Sequence, residues 1–217
     1  TVQISEKAII TMRQSQRLVM DLLHSHKTVY GVNTGFGSLS SEKISEKDVH
    51  DLQVNLLRSH ACGIGEALPT DVVRAMMLLR ANSLCKGHSG IRPQTVQLLI
   101  GMLNKQIHPL VPRKGSIGAS GDLIPLAHIG LCLIGEGTVT YQEKQLSSKD
   151  AFSMAHLSST QLTAKEGLAL INGTQLMSAL GCLCYWDAEQ ILKQAQIAGA
   201  MSLEALKGTN QAFRKEI

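Results

Sequence analysis

The sequence predicts a mainly α fold. Apolar residues recur at helical spacing along most of the chain, no strand–helix–strand alternation is present, and three glycine-rich loops interrupt the periodic segments.

The elements follow in order. Ser5-Glu6 opens a helix whose apolar set is Ile9, Ile10, Met12, Leu18, Val19, Leu22 and Leu23, and His24-Ser25-His26 reads as its solvated end. Asp48 precedes a second, with Val49, Leu52, Leu56 and Leu57. Pro69-Thr70-Asp71 starts a third, carrying Val72, Val73, Met76, Met77, Leu79 and Leu84. Pro93 suits the first turn of a fourth, because its fixed φ is helical and its missing N–H is not needed there. Residues 123–136 are apolar nearly all round, which predicts a central buried helix. A long helix is expected from Gly173 to about Leu206, with a break near Gly199. Thr138-Val139-Thr140-Tyr141 and Lys144-Gln145-Leu146 predict one small β-hairpin. The glycine loops lie at 31–37, 87–90 and 115–121, and in a helical protein such loops are where function collects.

Composition narrows the function classes. The 217 residues are expected to form a single helical domain over 1–217. A net charge of +4, with no basic block and 3% aromatic residues, argues against a nucleic-acid partner. The apolar fraction of 44% excludes a disordered chain. The longest apolar stretch, residues 123–135, falls short of the roughly 18 residues that span a bilayer, so no membrane segment is expected. Five cysteines, an odd number without zinc-knuckle spacing, suit reduced thiols and a cytoplasmic protein. The start lacks a basic segment, an apolar core and an initiator Met, and the end carries no turn or tail signal; a fragment without a secretory signal is expected. No histidine or cysteine spacing suggests a metal site.

The segment Lys114-Gly115-Ser116-Ile117-Gly118-Ala119-Ser120-Gly121-Asp122-Leu123 is the central motif. In structural terms it is a glycine turn feeding a helix, with Ser120 or Asp122 as N-cap. It is not a phosphate-binding loop, because Asp122 follows Gly121 where Lys-Ser/Thr is required. Nor is it a nucleophile elbow, which needs Gly-x-Ser-x-Gly.

Gly118-Ala119-Ser120-Gly121-Asp122-Leu123 resembles the cofactor-forming loop of the aromatic amino acid ammonia-lyases. Three further segments resemble that family in the same order: Tyr30-Gly31-Val32-Asn33-Thr34-Gly35-Phe36-Gly37, Asn82-Ser83-Leu84-Cys85-Lys86-Gly87-His88-Ser89-Gly90, and Lys165-Glu166-Gly167-Leu168-Ala169-Leu170-Ile171-Asn172-Gly173-Thr174. The resemblance runs from Tyr30 to about Leu206 and implies the long-helix bundle of the ammonia-lyase/fumarase-like superfamily, with glycine-rich active-site loops. The chain would be the N-terminal, cofactor-bearing part of a longer lyase whose C-terminal half supplies further active-site residues, so this part alone is expected to be inactive.

The resemblance implies a methylidene-imidazolone formed autocatalytically from Ala119, Ser120 and Gly121, with no external cofactor. The residue types suit that chemistry: Gly121 has no Cβ to obstruct attack of its amide nitrogen on Ala119, and Ser120 can lose its hydroxyl. Tyr30 is the candidate base, with helix N-termini to favour its ionisation. Asn172 is a candidate for holding the substrate's amino or carboxylate group, and Asn82 and Asp122 for support. Ser59-His60, where phenylalanine-specific members carry an apolar pair, resembles the histidine-specific branch and implies ammonia elimination from L-histidine to give trans-urocanate, the first step of histidine degradation. An imidazole at His60 can hydrogen-bond the substrate imidazole. A tyrosine or phenylalanine lyase or aminomutase, and an inactive helical assembly module, are the alternatives. The family also implies a homotetramer.

Overall fold

Ser5 begins the first helix as expected: its hydroxyl accepts the Ala8 N–H at 3.3 Å, capping α1 (Glu6–His24). The structure is a computed structural model, and it describes residues 1–25, 28–37, 42, 44–45, 48–117 and 121–216. His26 of the expected helix end lies outside them, as do Gly118, Ala119 and Ser120.

Helices α2 (Val49–His60), α3 (Thr70–Leu84) and α4 (Pro93–Asn104) match the periodic segments, with Pro93 at the helix start. Helix α5 (Leu123–Leu133) is largely buried, and Leu126, Ala127, Ile129 and Leu133 are all but sealed from solvent. Two short helices were not expected: α6 (Ser148–Met154) and α7 (Glu166–Ile171). Helix α8 runs from Gln175 to Ala205 without a break at Gly199, since an isolated helical glycine costs only about 1 kcal/mol.

The β content exceeds one hairpin. β4 (Thr138–Tyr141) and β5 (Lys144–Ser147) form the expected hairpin, with Tyr141 opposite Lys144. β2 (His108–Pro109) adds to it antiparallel, His108 opposite Thr140. A second sheet pairs β1 (Ile64–Ala67) with β3 (Pro112–Lys114), and it is this sheet that shapes the site.

The chain divides into two compact units, Thr1–Ala179 and Leu180–Ile217. The first holds the core, built where α5 packs on α2 and α7 and where α3 packs on α4. The second comprises the rest of α8 and a short 3-10 turn, Gln211–Phe213. By length and composition the stretch Glu166–Ala205 is long and apolar enough to cross a membrane, contrary to the run-length expectation. Polar residues such as Gln175 and Ser178 interrupt its apolar run without lowering the average much. A core helix of a soluble protein has the same length and composition, so this stretch by itself assigns no membrane.

Candidate active site

The β1–β3 pairing brings the end of α2 to the glycine loop. Ile64 lies opposite Lys114, so the residues just after His60 run beside those just before Gly115. The approach is close: a Cβ on Gly63 would stand 3.0 Å from His128 Nε2 and 3.1 Å from Pro112 Cβ. The Gly63 N–H donates to His128 Nε2 at 3.2 Å, which requires that nitrogen to be unprotonated. Burial acts in the same direction, lowering the His128 pKa from its ordinary value.

The result is a cavity of about 200 Å³ whose walls include His60, Ser116, Gly121 and Ile124. His60 Nδ1 lies 2.9 Å from Leu56 O. A carbonyl oxygen can only accept, so Nδ1 carries a proton, which leaves Nε2 as the acceptor when the ring has one proton only.

Asp122 fixes the loop's C-terminal side. It is fully buried and precedes α5, but its carboxylate makes no cap bond to that helix. Instead Oδ1 accepts from Ser116 Oγ at 2.7 Å, and Oδ2 accepts the Met177 N–H at 3.0 Å, in the first turn of α8. The Asp122 N–H donates to Gly173 O at 2.6 Å. The N-termini of α5 and α8 thus meet at one buried carboxylate, and the partial positive charge of each compensates it. Gly121 has φ +119°, and a Cβ there would lie 2.6 Å from Gly173 O; only glycine fits.

Beneath this corner lies Arg80 of α3, 4% exposed. Its Nη1 donates to Gln175 Oε1 at 2.9 Å, and Nη2 donates to Asn172 O at 3.0 Å and to Ala169 O. Burial lowers its pKa to about 10. The sequence reading missed Arg80 because an arginine within a helical pattern reads as a surface residue; its place between Met77 and Leu84, both core residues, was the available signal.

The other expected site residues are distributed as follows. Ala119 and Ser120 of the proposed ring lie outside the described residues. Asn172 is exposed at the end of α7, one residue before Gly173, and only its backbone meets Arg80 among its described bonds. Tyr30 is 55% exposed, with its ring edge-on to Phe36 at 6.1 Å; the next residue, Gly31, packs against Leu168 of α7. Asn82 is exposed beside the N-terminal residues Val2, Gln3 and Ile4, in a cavity separate from that of His60. The structure therefore brings His60, Gly121 and Asp122 together, sets Asn172 beside their anchor, and puts neither Tyr30 nor Asn82 on the walls of the His60 cavity.

The remaining motif residues hold helices together. Gly87 and Gly90 let the chain pass against Thr11 and Val19 of α1, where a Cβ would stand 2.4 and 2.3 Å away. Glu166 is fully buried and accepts from Arg92 Nη2 at 2.7 Å, Thr95 Oγ1 at 2.8 Å and the Thr163 N–H at 2.8 Å. Lys165 Nζ donates to Ser89 O at 2.7 Å. Among the described residues no group of three or more His, Cys, Asp or Glu is arranged to hold a metal.

The described part of the loop fits the proposed ring. Gly121 has room for no side chain, the amide that follows it donates to Gly173 O, and the cavity that it lines is also lined by His60.

The family model described as aromatic amino acid lyase matches residues 1–217. A histidine ammonia-lyase from Alkaliphilus oremlandii is 50% identical over 216 residues, covering 100% of this chain and 43% of that protein. The crystal structure of histidine ammonia-lyase from Trypanosoma cruzi superposes with a TM-score of 0.90 at 40% identity, covering 97% of this chain and 41% of that one. The phenylalanine aminomutase of Pantoea agglomerans superposes at 0.93 with 33% identity, covering 98% and 41%. The chain thus spans less than half the length of the relatives it matches.

Proposed function

The chain belongs to the aromatic amino acid lyase family, and from that premise we propose that it carries the cofactor-forming part of an ammonia-lyase that converts L-histidine to trans-urocanate and ammonia. The carrying observation is the cavity lined by both His60 and Gly121. The reaction belongs to the full-length enzyme containing this chain.

Ring formation consists of two dehydrations. The Gly121 nitrogen bonds to the Ala119 carbonyl carbon, and that oxygen leaves as water with the Gly121 and Ser120 amide hydrogens, leaving a carbon–nitrogen double bond to the Ser120 nitrogen. Ser120 then loses its hydroxyl and its Cα hydrogen as a second water, leaving an exocyclic methylene. No oxidant is needed. The methylidene-imidazolone supplies an electrophile that no ordinary side chain offers.

The chain's own residues do the rest. The His60 Nε2 acceptor receives the N–H of the substrate's imidazole, which selects against a phenyl ring. The α5 and α8 N-termini offset the Asp122 charge beside the loop. Tyr30 is assigned the removal of the β-hydrogen and Asn172 the holding of the substrate's amino or carboxylate group; their place in the family's motifs supports both. Asn82 is retained as a supporting residue on the same ground. A homotetramer and a cytoplasmic location complete the reading; five free cysteines support a reducing compartment.

A tyrosine substrate is the second reading, because a phenol O–H also donates to His60 Nε2. The full-length enzyme given L-histidine should produce the ultraviolet absorbance of urocanate. Turnover of L-tyrosine alone would establish the second reading instead.

A further inference from the structure

Arg80 is a buried cation that the proposed reaction does not use. A guanidinium keeps its charge at any ordinary pH, so burying one is costly unless its donors are well placed. Its described partners are two backbone carbonyls and an amide oxygen, none of them a carboxylate, and its buried Nε has no partner among the described residues. Ion pairing therefore does not explain the placement.

All three acceptors belong to one short stretch, Ala169, Asn172 and Gln175, where α7 ends and α8 begins. Arg80 satisfies α7 carbonyls that have no partner within the helix and joins them to the first residue of α8. Between them lies Gly173, so close that a Cβ there would be 2.2 Å from Arg80 Nη1. Gly173 O is the acceptor for the Asp122 N–H at 2.6 Å, the amide directly after Gly121. One chain of contacts thus runs from the guanidinium through Gly173 to the peptide that carries the reacting glycine.

We propose that Arg80 is a positioning residue for ring closure, holding Gly173 O as the fixed anchor that sets the Gly121–Asp122 peptide, and through it the Gly121 nitrogen, for attack on Ala119. The inference rests on the ring-forming reading given above. Positional precision matters because intramolecular attack depends steeply on approach geometry. Loosening the anchor leaves the helices intact and slows the condensation.

The test is the intact mass of the folded, full-length enzyme, comparing the parent with Arg80→Lys and Arg80→Gln. The parent should be lighter than its plain sequence by two waters. Arg80→Gln should keep the parent's helical circular dichroism and assembly size while its dehydrated fraction falls at least tenfold, with Arg80→Lys recovering part of it. A folded Arg80→Gln dehydrated to the parent's extent would overturn the proposal. If Arg80→Gln yields no folded protein, Gln175→Ala decides: it removes the Nη1 acceptor alone, and full dehydration there refutes the role. Loss of folded protein in both variants also refutes it, by making Arg80 a residue of the fold and not of the loop. A parent of plain mass fails the ring-forming reading itself, a different outcome from a dehydrated parent with an equally dehydrated variant.

Discussion

The Asp122 carboxylate and the backbone N–H of Met177 meet at 3.0 Å, joining the residue before α5 to the first turn of α8 across 55 positions of sequence. A carboxylate that precedes one helix and caps another is what locks the glycine loop into the core. It also connects the chemistry to stability, because the same oxygens that position the loop satisfy Met177 and Ser116.

Asp122→Asn should therefore be costly on both counts. An amide can still accept the Met177 N–H and turn its NH2 toward the hydroxyl of the exposed Ser116, but both bonds lose the carboxylate's charge, at about 1 kcal/mol or more. Urea unfolding of the full-length variant should show that loss, and its intact mass should show a reduced dehydrated fraction. Parent stability together with parent mass would contradict the clamp.

Gly121→Ala should be worse for the loop. The new Cβ meets the Gly173 carbonyl oxygen at 2.6 Å, and φ +119° is a conformation L residues avoid. The expected cost is about 1–3 kcal/mol of backbone strain. Crystallography of the variant should show the Asp122–Gly173 hydrogen bond lengthened or broken; an unchanged 2.6 Å bond would contradict the close approach.

His60→Phe tests the substrate. Removing the acceptor should raise KM for L-histidine at least tenfold, in line with a lost hydrogen bond of about 1.5 kcal/mol or more. Relative turnover of L-phenylalanine should rise. An unchanged preference for L-histidine over L-phenylalanine would remove His60 from substrate recognition.

Much of the helical frame was legible in the sequence, because Ser5, Pro93 and the apolar spacing of α1 to α5 act locally. What was not legible depends on partners far along the chain. Ile64–Ala67 is exposed at all four positions, so it carries no alternation, and its strand exists because Pro112–Lys114 lies alongside. That sheet is nevertheless what delivers His60 to the loop. Asp122 reads locally as a cap for α5, and only the tertiary fold shows its carboxylate serving α8. Arg80 and Glu166 were opaque for the same reason: both are charged residues held inside by partners 70 or more positions away.

Acid should weaken the fold through His128. Burial holds its pKa below the ordinary 6.5, so the native state resists the proton that the unfolded chain accepts. The stability this histidine contributes is complete above pH about 6.5 and is lost as pH falls through its lower native value. His108, lowered by burial and by Arg74, adds a contribution of the same sign. Unfolding midpoints of the full-length enzyme between neutral and mildly acid pH should fall, and His128→Gln, which can still accept from the Gly63 N–H, should flatten part of the slope. An unchanged slope in that variant would contradict the assignment.

The most direct measurement of the central claim is the intact mass of the full-length enzyme beside its Ser120→Ala variant. The account predicts a parent lighter than its encoded sequence by two waters and a variant without the second dehydration, folded and unable to release ammonia from L-histidine. A parent that forms urocanate at its full encoded mass would contradict it.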